Sequence, residues 1–405
     1  MDADTLHSQG GSWAGPGSHA EAVRIGFDSS PLELARFGSS ADLMEDSGER
    51  GLALQPADQR RVWRSPTGRL LLALSLIGPS PLKTFSAEPL VRVEMAEGSF
   101  VGLPLTWSAN YGLLLEPDGR IREVEPAAAL QVEQLDQGFR PSSAVDVRAA
   151  LQREFGDRHA ISTTPYYVVV HPHGREQWAE EFDRLHRTFL RFFETRGYPL
   201  RQGRFVMVAI VMPNRQSFER YAHQEGIAIA PQVVGYYSKR TNRIVMYDDL
   251  GAALMPTIRH EAAHQSAYNT GLHDRVYPMP TWVVEGLGGV FEVEAPGHQE
   301  PSDMRSYLRT TMRETAQAKD LVAELVESDQ LFAEEPALAY SLSWRLTDHL
   351  LRTRSMHYVR YLQQLSDPGV ALQRSAVHRR ALFETHLQVR IPELARELEN
   401  GLANP

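Results

Sequence analysis

The 405-residue sequence contains no cysteine, so neither a disulfide framework nor a thiolate metal site is possible, and any metal must sit on His, Asp or Glu. It also lacks an apolar run near the ~18 residues needed to span a bilayer. The longest, "LLLALSLI" at 70–77, has strand length. Positive charge is not in excess: the net charge of −9 is spread over interspersed acidic and basic residues, with no basic stripe to neutralise phosphates. Nucleic acid is therefore not an expected partner. There is no Gly-rich phosphate loop and no internal repeat. The first residues, "MDADTLHSQGGSWAGPGSHAEAV", carry no charged-then-apolar leader. Two expectations stay open: a cytoplasmic protein, or a secreted or periplasmic one whose leader precedes this numbering. Apolar residues make up 42 %, enough to fill more than one core.

The patterning divides the chain into four segments. Residues 1–55 are rich in Gly, Ser and Asp without sustained periodicity, and read as a flexible arm. Residues 56–140 hold short alternating runs, among them "RLLLALSLI", "LVRVEMA" and "VGLPLTW". In "YGLLLEPDGRIREV" Pro117, Asp118 and Gly119 sit between two strand-like arms, as in a hairpin. Over 141–298 the rhythm changes. A helix with Ser143 as N-cap and Gly156 beyond its end precedes the strand "YYVVVHP" (166–172). An amphipathic helix follows, with Trp178, Phe182, Leu185, Phe189 and Phe192 on one face, then a strand "FVMVAIVM" (205–212), a helix and a hairpin around Thr241 and Asn242. Residues 299–405 read as a helical lobe broken near Pro301, Pro336, Pro368 and Pro392.

The chemistry gathers in "TIRHEAAHQSAYNTG" (257–271), bounded like a helix by Pro256 in its first turn and Gly271 past its end. His260 and His264 lie one turn apart on one face, so both imidazoles can meet one ion. Glu261 projects about 100° around the axis, beside that ion, where it can hold a water and take its proton. Such a motif also arises by chance in chains of this size, so a second feature is needed. It is Glu285, the one charge between Trp282 and Phe291 in the apolar run "PTWVVEGLGGVFEVE". A carboxylate there costs several kcal/mol unless paired with something cationic. A zinc ion would serve; the alternative is a salt bridge to Arg259 or Arg275. Three protein ligands with a fourth position open make a catalytic zinc site. Gly286, Gly288 and Gly289 then serve close backbone approach.

"HEAAHQ" followed by "PTWVVEGLGGVFE" resembles the gluzincin class of zinc metallopeptidases. With "GLLLEPDGRI", "YYVVVHP" and "VVGYYSKRTNRIVMYD" it looks more closely like a group of bacterial peptidase-MA-like proteins, over about 105–350. The resemblance implies an α+β fold with a zincin-like catalytic core and one zinc per chain on His260, His264 and Glu285. It implies Glu261 as general base, a peptide or protein substrate, and an edge strand along the cleft with Tyr236 and Tyr237 flanking the substrate, unless these two merely pack. Gluzincins commonly use a Tyr or His beyond the glutamate to bind the oxyanion; Tyr340 is the candidate, ahead of His349, Tyr268 and His273. Gly288 stands where alanine is usual, a change expected to be harmless. Asn269 and Asp274 are possible orienters of a ligand histidine or simply helix-surface and capping residues. His171 and His173 in "HPHG" read as a strand end rather than a second metal site. Two rivals remain: a catalytically silent zinc- or peptide-binding module, and a zinc amidase acting on a cell-wall amide.

Overall fold

The computed structural model describes residues 89–403, apart from 232, 249–250, 299–301, 315–317, 368–369 and 371–374, together with a short strand pair, Trp63–Arg64 with Leu70–Leu71. The arm expected over 1–55, most of the run at 70–77 and the breaks at Pro301 and Pro368 lie outside the described residues. Sheet-forming segments come first and helices dominate the C-terminal part, which makes the chain α+β.

The first sheet is antiparallel, in the order β4-β3-β2-β1-β5, from β1 (Pro89–Met95), β2 (Gly98–Trp107), β3 (Gly112–Leu115), β4 (Ile121–Val124) and β5 (Gln131–Gly138). The expected turn joins β3 to β4: Gly119 takes φ +89° and Asp118 Oδ1 accepts from the Arg120 N–H at 3.1 Å. Helix α1 (Ala144–Phe155) opens on a capping box in which Ser143 and Asp146 exchange hydrogen bonds, and it stops at Gly156.

The second sheet has the order β9-β10-β8-β7-β6, with β6 (Ala160–Thr163), β7 (Tyr167–His171), β8 (Met207–Met212), β9 (Gly235–Ser238) and β10 (Arg243–Tyr247). β7, β8 and β10 run parallel, and β6 and β9 close the edges antiparallel. Both faces are covered, so these strands read as continuous apolar runs. Tyr167, Val169, Ala209, Tyr237 and Ile244 face α2 (Gln177–Glu194) and α4 (Met255–Asn269). The alternate residues, Val168, Val170, Ile210, Tyr236 and Val245, face α1 and α3 (Arg215–Gln224). Tyr236 and Tyr237 are thus buried on opposite faces, which corrects the expectation that they flank a substrate: Tyr236 packs on Phe218, and Tyr237 stacks on Tyr268 while its hydroxyl donates to Asn242 Oδ1 at 2.8 Å. His171 and His173 have protein partners, Ser162 Oγ and the Pro172 carbonyl for the first and the Asp157 carbonyl for the second.

Helix α5 (Thr281–Phe291) lies between this layer and the helical lobe, whose core it shares through Trp282, Val283, Leu287 and Val290. Packed against it there is α6 (Pro336–Thr353). A Cβ at Gly286 would run into the Ser343 carbonyl and the Thr347 hydroxyl, so glycine sets how near the two helices come.

Glu154 ties α1 to the second sheet and to the first. It forks onto Arg243 at 2.7 and 2.9 Å and also meets Arg120 of the β3–β4 turn at 3.3 Å. Burial acts to raise its pKa, but the two guanidinium groups outweigh burial and hold it below the usual carboxylate range. Glu154→Gln should cost about 2–4 kcal/mol, somewhat less than a fully buried pair, because it strands the buried Arg243 while the carboxylate itself is 32 % exposed. A depressed folded-state pKa means that this stability is complete above the unfolded value and is lost as pH falls through the folded one. The melting-temperature gap between wild type and variant should accordingly narrow below about pH 4; a gap constant from pH 7 to pH 3 would show that the ion pair does not supply it.

Candidate metal centre

Helix α4 is buried from Thr257 to Tyr268 except at Arg259, which is half-buried. That explains its composition: Ala262, Ala263 and Ala267 let it nest among the sheet, α2 and α5, and its polar residues each need a partner inside the protein. Gln265 finds two, donating from Nε2 to the Val208 carbonyl at 3.1 Å and the Asn242 carbonyl at 2.8 Å. Asn269 exchanges side-chain hydrogen bonds with Asn242 at 2.8 and 3.0 Å. Asn242, at φ +58°, thus locks the β9–β10 hairpin to the helix.

On the side facing α5, His260 and His264 lie with ring centroids 4.4 Å apart and planes at 82°. Glu285 reaches them from α5: its Oε2 is 3.3 Å from His260 Nε2 and 3.9 Å from His264 Nε2. One donor atom from each of the three falls within 4.8 Å of the others, and all three residues are at most 1 % exposed. A tetrahedral ion with bonds of about 2.0–2.1 Å holds its donors about 3.3–3.4 Å apart, so the set fits a metal ion with slight contraction. Among the described residues no other group of His, Asp and Glu meets this condition. Arg259 donates instead to the Glu292 carbonyl and Arg275 to the Lys239 carbonyl, so neither is the partner of Glu285.

Two further contacts shape the centre. Glu292 Oε1 sits 2.8 Å from His260 Nδ1, fixing the ring so that Nε2 points inward. It lies seven residues after Glu285, two turns along one helix face, and that spacing was the available signal. Neither Asn269 nor Asp274 does this; Asp274 Oδ1 accepts from the backbone N–H groups of Val276 and Tyr277, both at 2.7 Å. Gly288 lies under the imidazoles, where a Cβ would come 2.6 Å from His260 Nε2 and 2.8 Å from His264 Cε1. Glycine in place of the usual alanine therefore leaves the donor set intact, as expected, and here it also gives the imidazoles room.

Burial pushes the Glu261 carboxyl up to about 8, with Glu285 and Glu292 adding to the rise against His260 and the Tyr237 backbone. Glu285 is raised by burial as well. His264 is pushed well down by burial and then by His260 and His273. His260 runs the other way: burial pulls it down, but Glu285 and Glu292 lift it to about 10. These directions belong to the side chains alone, since a divalent cation among them would hold both imidazoles neutral and both carboxyls ionised. Glu261 Oε1 and Oε2 and Glu285 Oε1 are buried without a hydrogen-bond partner, which marks where additional ligand atoms belong.

Tyr340 lies in the helical lobe, edge-on to Phe332 with centroids 5.3 Å apart. His349 is held 2.8 Å from Glu397 in the same lobe. Tyr268 and His273 sit at the C-terminal end of α4 with rings in edge contact at 5.2 Å.

A family described as "Protein of unknown function (DUF1570)" matches residues 254–369, a stretch that includes His260, His264, Glu285 and Glu292. No match to a curated protein was found. No helix among the described residues is long and apolar enough to cross a membrane.

Glu292→Gln should weaken metal binding about 10- to 100-fold by releasing the His260 ring. Gly288→Ala should bring the bound metal below one per chain by forcing the imidazoles apart. Competition with a chromophoric chelator measures both, and wild-type affinity in either variant would mean that its contact does not shape the centre.

Proposed function

We propose that this chain is a zinc-dependent metallopeptidase of the gluzincin type. The observation carrying the reading is a buried His-His-Glu donor set lying beside a carboxylate, Glu261, whose two oxygens have no partner. Two imidazoles and one carboxylate, with no cysteine thiolate in the sequence, suit zinc bound by nitrogen and oxygen at a four-coordinate site. A zinc ion held by His260, His264 and Glu285 supplies Lewis acidity, which brings the pKa of water to about 7.

The chain's own residues supply the rest. Glu261, one residue past the first ligand and raised in pKa by burial, suits a base that takes a proton from water and returns it to the leaving amine as the C–N bond breaks. Glu292 orients His260, and the latch of Asn242, Asn269 and Gln265 keeps α4 in register with the sheet edge. By the resemblance, Tyr340 would donate to the oxyanion. The β9 edge offers main-chain groups to an extended peptide, with recognition through backbone rather than through Tyr236 or Tyr237.

Zinc-loaded protein should cleave members of a peptide library. Glu261→Gln should keep one zinc per chain while turnover falls at least about 100-fold. Full turnover by the variant would remove the mechanism; cleavage of wall fragments but not peptides would make the protein a cell-wall amidase; zinc without hydrolysis of either would make it a silent binding module.

A further inference from the structure

The β9 edge runs beside the metal helix and stops at a barrier. Gly235 lies at the start of α4, where a Cβ would come 3.6 Å from Thr257 Cγ2, and the Tyr237 ring stacks on Tyr268 near its end. His260, Glu261 and His264 lie on α4 between these two contacts. Successive residues of a strand turn their main-chain groups to opposite sides. Ser238 turns its carbonyl into the hairpin, where the Asn242 N–H donates to it at 2.8 Å. Tyr237 and Lys239 therefore turn theirs outward, and the Tyr237 N–H is directed toward the Glu261 carboxyl.

The outward carbonyl of Lys239 is already taken. Arg275, on the connection from α4 to α5, lays its guanidinium across it: Nε donates at 2.8 Å, Nη2 donates to the same oxygen, and Nη2 also reaches the Arg240 carbonyl at 3.4 Å. Beyond Arg275 the first sheet closes in. The Ile121 N–H donates to the Arg240 carbonyl at 2.7 Å, and Val276 packs with Leu103, Leu115 and Ile121. From Tyr237 to Lys239 is about 7 Å of extended chain, the length of two residues. A peptide laid along β9 thus has room for about two residues on the Arg275 side of Glu261.

The site is enclosed as well. His260, Glu261, His264 and Glu285 are at most 1 % exposed, and Gly235 to Ser238 are buried. An internal bond of a long chain needs a cleft open at both ends, whereas a bond next to a chain end needs one opening.

We propose that Arg275 is a specificity-determining residue that closes one end of the substrate cleft, so that peptides are cut within about two residues of a terminus and not in the middle. The assignment rests on the hydrolase reading and adds to it the class of substrate, a free chain end. Arg275 acts by occupying space and by using up the next main-chain acceptor of the edge, so a longer strand finds neither room nor a partner beyond Tyr237.

The test uses zinc-loaded full-length protein and a long unstructured peptide, with the products identified by mass spectrometry through the time course. Wild type should remove about one or two residues from one end, and the product masses name that end. Arg275→Ala, holding one zinc per chain, should raise cleavage at internal bonds about tenfold relative to the terminal cut. Internal cuts by wild type that leave long fragments on both sides would overturn the proposal, as would a variant giving the product lengths of wild type. A zinc-loaded wild type that cuts no peptide at all would remove the hydrolase reading and this assignment with it. Should Arg275→Ala fail to fold, the wild-type products decide alone: stepwise shortening from one end upholds the closed cleft, and long internal fragments overturn it.

Discussion

Two imidazoles and a carboxylate meet where solvent does not reach, and the rest of the architecture serves that meeting. Each group loses hydration on burial, and Glu261 beside them gains little hydrogen bonding in return. Such a cluster persists only if surrounding packing is stable enough to carry it, and the helices that present it are accordingly buried over most of their length. Composition follows from this demand. α4 carries alanines where it packs, and between Trp282 and Phe291 α5 is apolar except at Glu285, which faces the two imidazoles.

Geometry is secured at three levels. Glycines 286 and 288 set the separations, one between α5 and α6 and the other between α5 and the imidazoles. Glu292 sets the rotation of His260, and the paired amides of Asn242 and Asn269 set how the hairpin sits on α4. None of these contributes a metal-binding atom, yet each controls where such atoms stand.

Much of this was legible in the sequence where a local rule applied. Helix periodicity placed His260 with His264, burial logic singled out Glu285, and capping and turn chemistry located α1 and the β3–β4 hairpin. What escaped depends on contacts between distant segments. Strand β6, four residues long with a single buried apolar side chain, exists because β7 offers it an edge. Glu292 meets His260 across 32 residues of sequence, and the closeness of Gly288 to both imidazoles depends on how α5 lies against α4. The aromatics of β9 suggested substrate contact because strand pattern alone cannot tell a sheet covered on both faces from one with an open face.

Besides the ion pairs of Glu154, the joint between the two sheets uses main-chain oxygen of the turn at 239–240. Ile121 of the first sheet donates its N–H to the Arg240 carbonyl at 2.7 Å, and Arg275 grips the Lys239 carbonyl. Carbonyl groups are the same whatever side chain accompanies them. These two contacts therefore do not depend on which side chains stand at 239 and 240, provided the path of the chain through the turn is kept.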